Sequence, residues 1–326
     1  MKKYHFGQSE LNISRSAFER GVKACLSLTS PTRADVAEAA NINLGYAGKI
    51  LSALTECKIL CEDSSFFPTC YSVNPDLSVL VIDISDNGFA VSVIDGSGER
   101  ILSKNGVKIP QLSFSDYFYS LLSCAGLMIK ELSCSISAIC VLHDGKRLAQ
   151  KGQKEIIDGI FASLFGMLPI LYINLGDALA SVLDFNLCPS PDNKRIAYIR
   201  ISNDVTALFV TEDKSIFKCD PSRLIFQGES TVKEAYDKAH TNADMGEVIS
   251  RIMTAMDFSC KIGTFIIESE YLKIDASMLE IIKRAYAATG SYLPEIYTTT
   301  LSTSYTAMAA AKLTAMEFIL SLIKTK

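Results

Sequence analysis

The sequence predicts an α/β chain in two parts, a winged helix-turn-helix over residues 1–76 and a two-lobed α/β domain over residues 77–326. Three observations predict it. Between Ser14 and Val73, three stretches with apolar residues at three- and four-residue spacing precede two short β-prone runs. Capping and turn residues separate those stretches. From Leu77 onward, apolar strand-like runs alternate with helical ones. A chain of 326 residues also exceeds the roughly 250 residues beyond which one core usually splits into several.

The first helix is expected from about Ser14 to Leu28, with Phe18, Val22, Cys25 and Leu26 on its apolar face. Thr32-Arg33-Ala34-Asp35 has the form of a capping box, so a second helix starts there and turns Val36, Ala37 and Ala40 inward. Asn41-Ile42-Asn43 breaks the pattern and supplies the turn. A third helix runs from about Leu44 to Cys57, with Ala47, Ile50, Leu51 and Leu54 inward and Leu44, Tyr46, Lys49 and Ser52 outward. Gly45 and Gly48 each cost about 1 kcal/mol relative to alanine inside a helix. Either close approach to a ligand backbone or close packing against helix two would justify them. Ile59–Glu62 and Cys70–Val73, joined across Asp63–Thr69, read as a β-hairpin wing.

In a helix-turn-helix, the outward face of the third helix enters the major groove of DNA. The residues expected to make that contact are Asn43, Tyr46, Lys49 and Ser52, with Arg33 touching phosphate. Charge gives this reading little help. Residues 1–76 carry eight basic and eight acidic side chains, the wing has no basic residue, and the whole chain has a net charge of -4. Dimerisation would offset this by doubling the contacts.

Composition excludes several other classes. At 48% hydrophobic and 21% charged residues the chain is globular material, not disordered or collagen-like. No apolar run approaches the roughly 20 residues a bilayer needs, and no apolar core follows Lys2 and Lys3, so a cytoplasmic protein without membrane contact is expected. The ten cysteines form no CxxC pair and read as reduced thiols. Cys57, Cys61 and Cys70 are the one cluster with metal-like spacing, and no histidine lies near them, so no metal is expected.

The segment Thr32–Glu62, the wing ending in Tyr71-Ser72-Val73-Asn74-Pro75-Asp76, and the strand directly after it together resemble the ROK family of repressors and sugar kinases. The resemblance runs in order over nearly the whole chain, closely at the N-terminus and in layout more than motif beyond it. It implies an actin-like, sugar-kinase-like (ribonuclease H-like) domain with lobes of about 77–180 and 181–300 and a C-terminal helix of about 303–323. Leu77–Leu102 follows the strand, turn, strand, turn, strand opening of such domains. The family's first phosphate loop keeps here only Asp83, followed by Ser85, Asp86, Asn87 and Gly88, and the Asp86 carboxylate would repel a phosphate. The strand Leu168–Asn174 aligns Asn174 with the family's asparagine and puts Leu175 where the family has its general base. Asp177 is read as a helix-start residue that complements the dipole.

Ile196–Phe209 has the layout of the second phosphate loop without a glycine from Ser202 to Leu208, and Asn203-Asp204 can make the turn. His240 has no cysteine cluster after it, so the family's zinc and sugar ligands transfer to no residue here. The strand Thr264–Ile267 ends in Glu268-Ser269 where the family commonly has glycines, and Ala307–Ala311 matches the family's small-residue helix. The resemblance therefore implies a transcriptional regulator, most simply a repressor, that binds operator DNA as a homodimer. Its kinase-like domain is expected to be catalytically inactive and without a cofactor, and to serve dimerisation, with sensing of a sugar-like effector left open. A non-catalytic interaction protein and an active sugar kinase are the alternatives.

Overall fold

The computed structural model describes residues 9–65, 67–84, 88–107, 113–131, 135–143, 145, 148–149, 151–185, 187, 195–201, 205–211, 213, 215–219, 235, 238–239, 241–269, 274–288, 292–300 and 304–325. Two compact units divide the chain, one comprising Met1–Leu187 with Tyr305–Lys326 and the other Cys188–Ser304.

The first unit opens on strand β1 (Ser9–Leu11), then α1 (Arg15–Ser27), α2 (Arg33–Ala39) and α3 (Leu44–Glu56), followed by the hairpin β2 (Leu60–Asp63) and β3 (Cys70–Val73). Each helix starts where local chemistry supplies a cap. The Ser14 side chain accepts from Ala17 N, and the Asn43 side chain from Tyr46 N. At Thr32 the full box forms: its hydroxyl oxygen accepts from Asp35 N, while the Asp35 carboxylate accepts from Thr32 N at 2.8 Å. The Thr32 amide and the Thr32 hydroxyl, which also donates to the carboxylate at 2.7 Å, hold the Asp35 carboxyl below its ordinary range, the backbone amide contributing most. A Thr32→Ala variant is expected to lose about 1 kcal/mol of stability, read as a lowered urea midpoint at neutral pH. Because the Asp35 pKa is depressed on folding, its share of stability is present above the ordinary Asp range and is lost as pH falls through the folded value.

The three helices share one core, in which Phe18, Val22, Val36, Ala47, Ile50 and Leu54 are all but fully buried. Arg20 Nε donates to the Ala40 carbonyl at 2.9 Å and so ties α1 to the end of α2. The hairpin pairs Leu60 with Val73 and Asp63 with Cys70, one residue later on its first strand than the sequence pattern indicated. A bridge from Thr32 to Cys70 adds the stretch before α2 to its edge.

The rest of this unit is a five-stranded sheet in the order β6-β5-β4-β7-β8, built from β4 (Val79–Asp83), β5 (Gly88–Ile94), β6 (Arg100–Val107), β7 (Ala138–His143) and β8 (Ile170–Asn174). The first three strands are antiparallel neighbours, and β7 and β8 continue the sheet in parallel. Helices α4 (Phe114–Glu131) and α5 (Gln153–Phe165) cover one face, where Phe118 and Phe161 pack on Leu80, Ile82, Ile139 and Val141. Helix α6 (Leu175–Asp184) and the last helix, α9 (Tyr305–Leu322), pack on one another, and α9 lies against β4 and β7. Buried Ala307, Ala309, Ala310 and Ala311 give α9 the slim surface this needs.

The second unit repeats the topology. Its sheet has the order β11-β10-β9-β12-β13, from β9 (Ile196–Ile201), β10 (Val205–Val210), β11 (Ile216–Cys219), β12 (Thr264–Ser269) and β13 (Glu295–Thr300). Again three antiparallel strands precede two parallel ones. Helices α7 (Asn242–Cys260) and α8 (Ala276–Ala287) contribute Ile249, Ile252, Met278, Ile282 and Tyr286 to a core with Ala197, Ile199, Phe265 and Ile267. The α/β class with an N-terminal winged helix and two ribonuclease H-like sheets is therefore as the sequence indicated. Among the described residues, no helix is long and apolar enough to cross a membrane.

Candidate nucleic-acid interface

Helix α3 separates its residues by face. Ala47, Ile50, Leu51, Ala53 and Leu54 are buried, whereas Leu44, Tyr46, Lys49 and Ser52 are exposed. Tyr46, Lys49 and Ser52 follow one another at three-residue intervals, which puts one stripe along the helix. Lys49 Nζ sits 5.9 Å from the centre of the Tyr46 ring, so the two are held side by side. Asn43, also exposed, spends its side-chain oxygen on the Tyr46 amide, which leaves its NH2 group for an outside partner.

Arg33 stands at the first position of α2 and reaches across to α3. Its Nε donates to the Leu44 carbonyl at 2.9 Å, and its guanidinium lies over Gly48, where a side-chain carbon would come within 3.3 Å of Nε. Gly48 is thus accounted for by packing against helix two. Among the described residues, a carbon added at Gly45 would meet the Asn43 side chain alone, and Gly45 faces outward. The five residues named from the sequence, Arg33, Asn43, Tyr46, Lys49 and Ser52, accordingly lie at the start of α3 or along its exposed face.

The wing adds apolar rather than basic surface. Phe67 at its tip is fully exposed, and Glu62 and Asp63 lie on its first strand. Cys57 is buried, Cys61 exposed and Cys70 half-buried. Among the described residues, no group of His, Cys, Asp and Glu could hold a metal ion.

The winged helix is anchored to helices α6 and α9 of its own unit through side chains that sequence reasoning missed. Arg15 donates to the Leu320 carbonyl at 3.0 Å, Lys23 pairs with Asp184 at 2.9 Å, and Lys312 of α9 donates to the Leu26 carbonyl at the end of α1. Burial pulls the Lys312 ammonium below its ordinary range, with Asp95 opposing that shift. Strand β1 pairs in parallel with β14 (Ile323–Thr325), Ser9 opposite Ile323. The signal in the sequence was Lys312 itself, one of two charged residues, with Glu317, in an otherwise small and apolar helix.

In the kinase-like part, Asp83 is buried at the end of β4. Asn174 caps α6 by accepting from Gly176 N at 2.9 Å, and Leu175 follows it as a buried side chain. Asp177 is exposed in the first turn of α6. Glu268 and Ser269 are buried, and the Glu268 carboxylate accepts from Tyr198 at 2.9 Å beside Arg200 on the next strand. Ser85, Asp86 and Asn87, the turn at Ser202–Asp204, and His240 lie outside the described residues.

No family model matches the chain, and no curated protein matches it in sequence. Solved structures do match it in shape. A ROK family transcriptional regulator, described as a homologue of the E. coli MLC protein, aligns with a TM-score of 0.64 at 10% identity, covering 94% of this chain and 98% of that one. The fold is that of ROK proteins. A ROK family glucokinase from Streptomyces griseus, solved with glucose and AMPPNP, aligns with a TM-score of 0.53 at 10% identity, over 73% of this chain and 99% of that one. The inorganic polyphosphate/ATP-glucomannokinase from Arthrobacter sp. strain KM gives a TM-score of 0.50 at 15% identity, over 75% and 99%. The ROK fold thus hosts both regulators and kinases, and the match to the regulator covers more of this chain than either kinase match.

Proposed function

We propose that this chain is a DNA-binding transcriptional regulator, most simply a repressor, that acts as a homodimer through its winged helix at residues 1–76. The kinase-like part is catalytically inactive and serves dimerisation and the sensing of a small, sugar-like effector. The exposed stripe of α3 carries this reading: Tyr46, Lys49 and Ser52 face outward from a helix whose other side is sealed in the core, with Asn43 and Arg33 at its start. The extent of the match to the regulator of the ROK fold supports it. Inactivity is supported by Leu175, a buried aliphatic side chain at the position the family resemblance assigns to the base.

The test is selection of a preferred duplex from a random library, followed by gel-shift titration. Tyr46→Ala combined with Lys49→Ala is expected to weaken binding to that duplex about tenfold or more, since each good base contact contributes about 1–3 kcal/mol. Thermal stability should not change, because both side chains are exposed. Equal affinity of the double variant and the parent would remove the assignment. A phosphorylated hexose formed in an ATP-coupled assay would remove the claim of inactivity.

One observation favours a second reading. Phe67, Leu44 and Tyr46 are large exposed apolar side chains on a neutral domain, which suits a protein partner. The salt dependence of duplex binding separates the two, because a DNA-binding surface loses affinity steeply as salt rises and a protein-docking surface has none to lose.

A further inference from the structure

Lys104 and Cys124 meet at the edge of the first unit's sheet. Lys104 lies on the edge strand β6, two residues beyond Leu102, whose side chain is in the core beneath α4. Cys124 lies on α4, one residue before Ala125 of the same core. Both are half-buried, so small molecules reach them while bulk solvent is largely kept away. Lys104 Nζ stands 2.7 Å from Cys124 Sγ. That is closer than the usual N–H···O distance of about 2.9–3.0 Å, although sulfur is the larger atom. A single oxygen bonded to both atoms would hold nitrogen and sulfur at about this separation.

We propose that Lys104 and Cys124 form a site of oxidative modification, in which dioxygen joins them through one bridging oxygen. The thiol, the neutral amine and one O2 give the S–O–N link and one water. The S–O and N–O bonds form, while the O–O bond, the S–H bond and one N–H bond break. Sulfur and nitrogen each lose two electrons, and these reduce the two oxygen atoms, one ending in the bridge and one in water with the two released hydrogens. A partly shielded position admits the oxidant. The link would tie the edge strand β6 to α4, and a thiol reductant would reverse it.

Peptide mass spectrometry on the full chain tests this. Protein purified in air should yield joined peptides containing Lys104 and Cys124, heavier than the separate pair by one oxygen and lighter by two hydrogens. The joined species should disappear after dithiothreitol, in protein kept under argon, and in both Cys124→Ser and Lys104→Arg. Air-purified protein should also melt at a higher temperature than its reduced form, and Lys104→Arg should melt with the reduced form. A joined species lacking the oxygen, sulfenic acid on Cys124 with Lys104 unmodified, or unjoined peptides in fully aerated protein would each overturn the proposal.

Discussion

Glu268→Ala is expected to destabilise the second unit by about 3–5 kcal/mol, the usual consequence of removing one partner from a buried ion pair. Glu268 and Arg200 are directly opposite in the parallel pairing of β12 with β9, and are 0% and 3% exposed. The Glu268 carboxylate lies 3.8 Å from Arg200 Nε and accepts the Tyr198 hydroxyl at 2.9 Å. Truncation takes the carboxylate from both and removes a charge 3.8 Å from the buried guanidinium. Arg200→Met combined with Glu268→Leu should recover most of the loss, because well-packed apolar replacements of a buried pair are often close to neutral. Urea denaturation of the parent, the single variant and the double variant checks both statements. A single variant within about 1 kcal/mol of the parent, the range of an ordinary substitution, would mean that the pair holds nothing together.

Gly96→Ala should cost the first unit about 1–3 kcal/mol, the range for forcing an extra carbon into a packed site. Gly96 sits in the turn between β5 and β6. A carbon added there would fall 2.5 Å from a Val73 methyl and 2.6 Å from the Asn74 carbonyl oxygen, which is backbone and cannot rotate aside. Val73 and Asn74 form the end of the wing, so the turn must lift away from the winged helix or the wing must shift. The lost stability should therefore appear together with faster proteolysis after residue 73. Gly159→Ala, in a helical position of α5 where the added carbon meets no side chain within 4 Å among the described residues, is the matched control. It should be stabilising by about 0.5–1 kcal/mol, since alanine is the better helix former. If the two variants melt alike, the close fit at Gly96 does not hold the junction.

Local chemistry made the winged helix readable residue by residue. The Thr32 box, the Asn43 cap and the four-residue rhythm of Ala47, Ile50, Leu51 and Leu54 each depend on neighbours within one helical turn, and each is found where the pattern indicated. The strands at Val79–Asp83, Ala138–His143 and Ile170–Asn174 were readable for a similar reason: fully or partly buried strands are near-continuous apolar runs. The candidate interface was legible to the same extent, because a helix that buries one stripe must expose the other. Charge along the sequence could not reveal the Arg33 placement over Gly48, which joins two helices across a turn.

By itself, then, the sequence determined the elements of the winged helix, the Thr32 and Asn43 caps and the outward stripe of α3, all consequences of interactions spanning a few residues. Tertiary structure alone decided that α9 returns to support α1 through Lys312 and Arg15, that β1 and β14 pair, that Gly96 lies under the wing, and that Glu268 meets Arg200. These contacts join residues far apart along the chain, whose meeting is set by how whole sheets and helices pack. Nothing in the periodicity of either partner encodes the other, so only the folded chain reveals them.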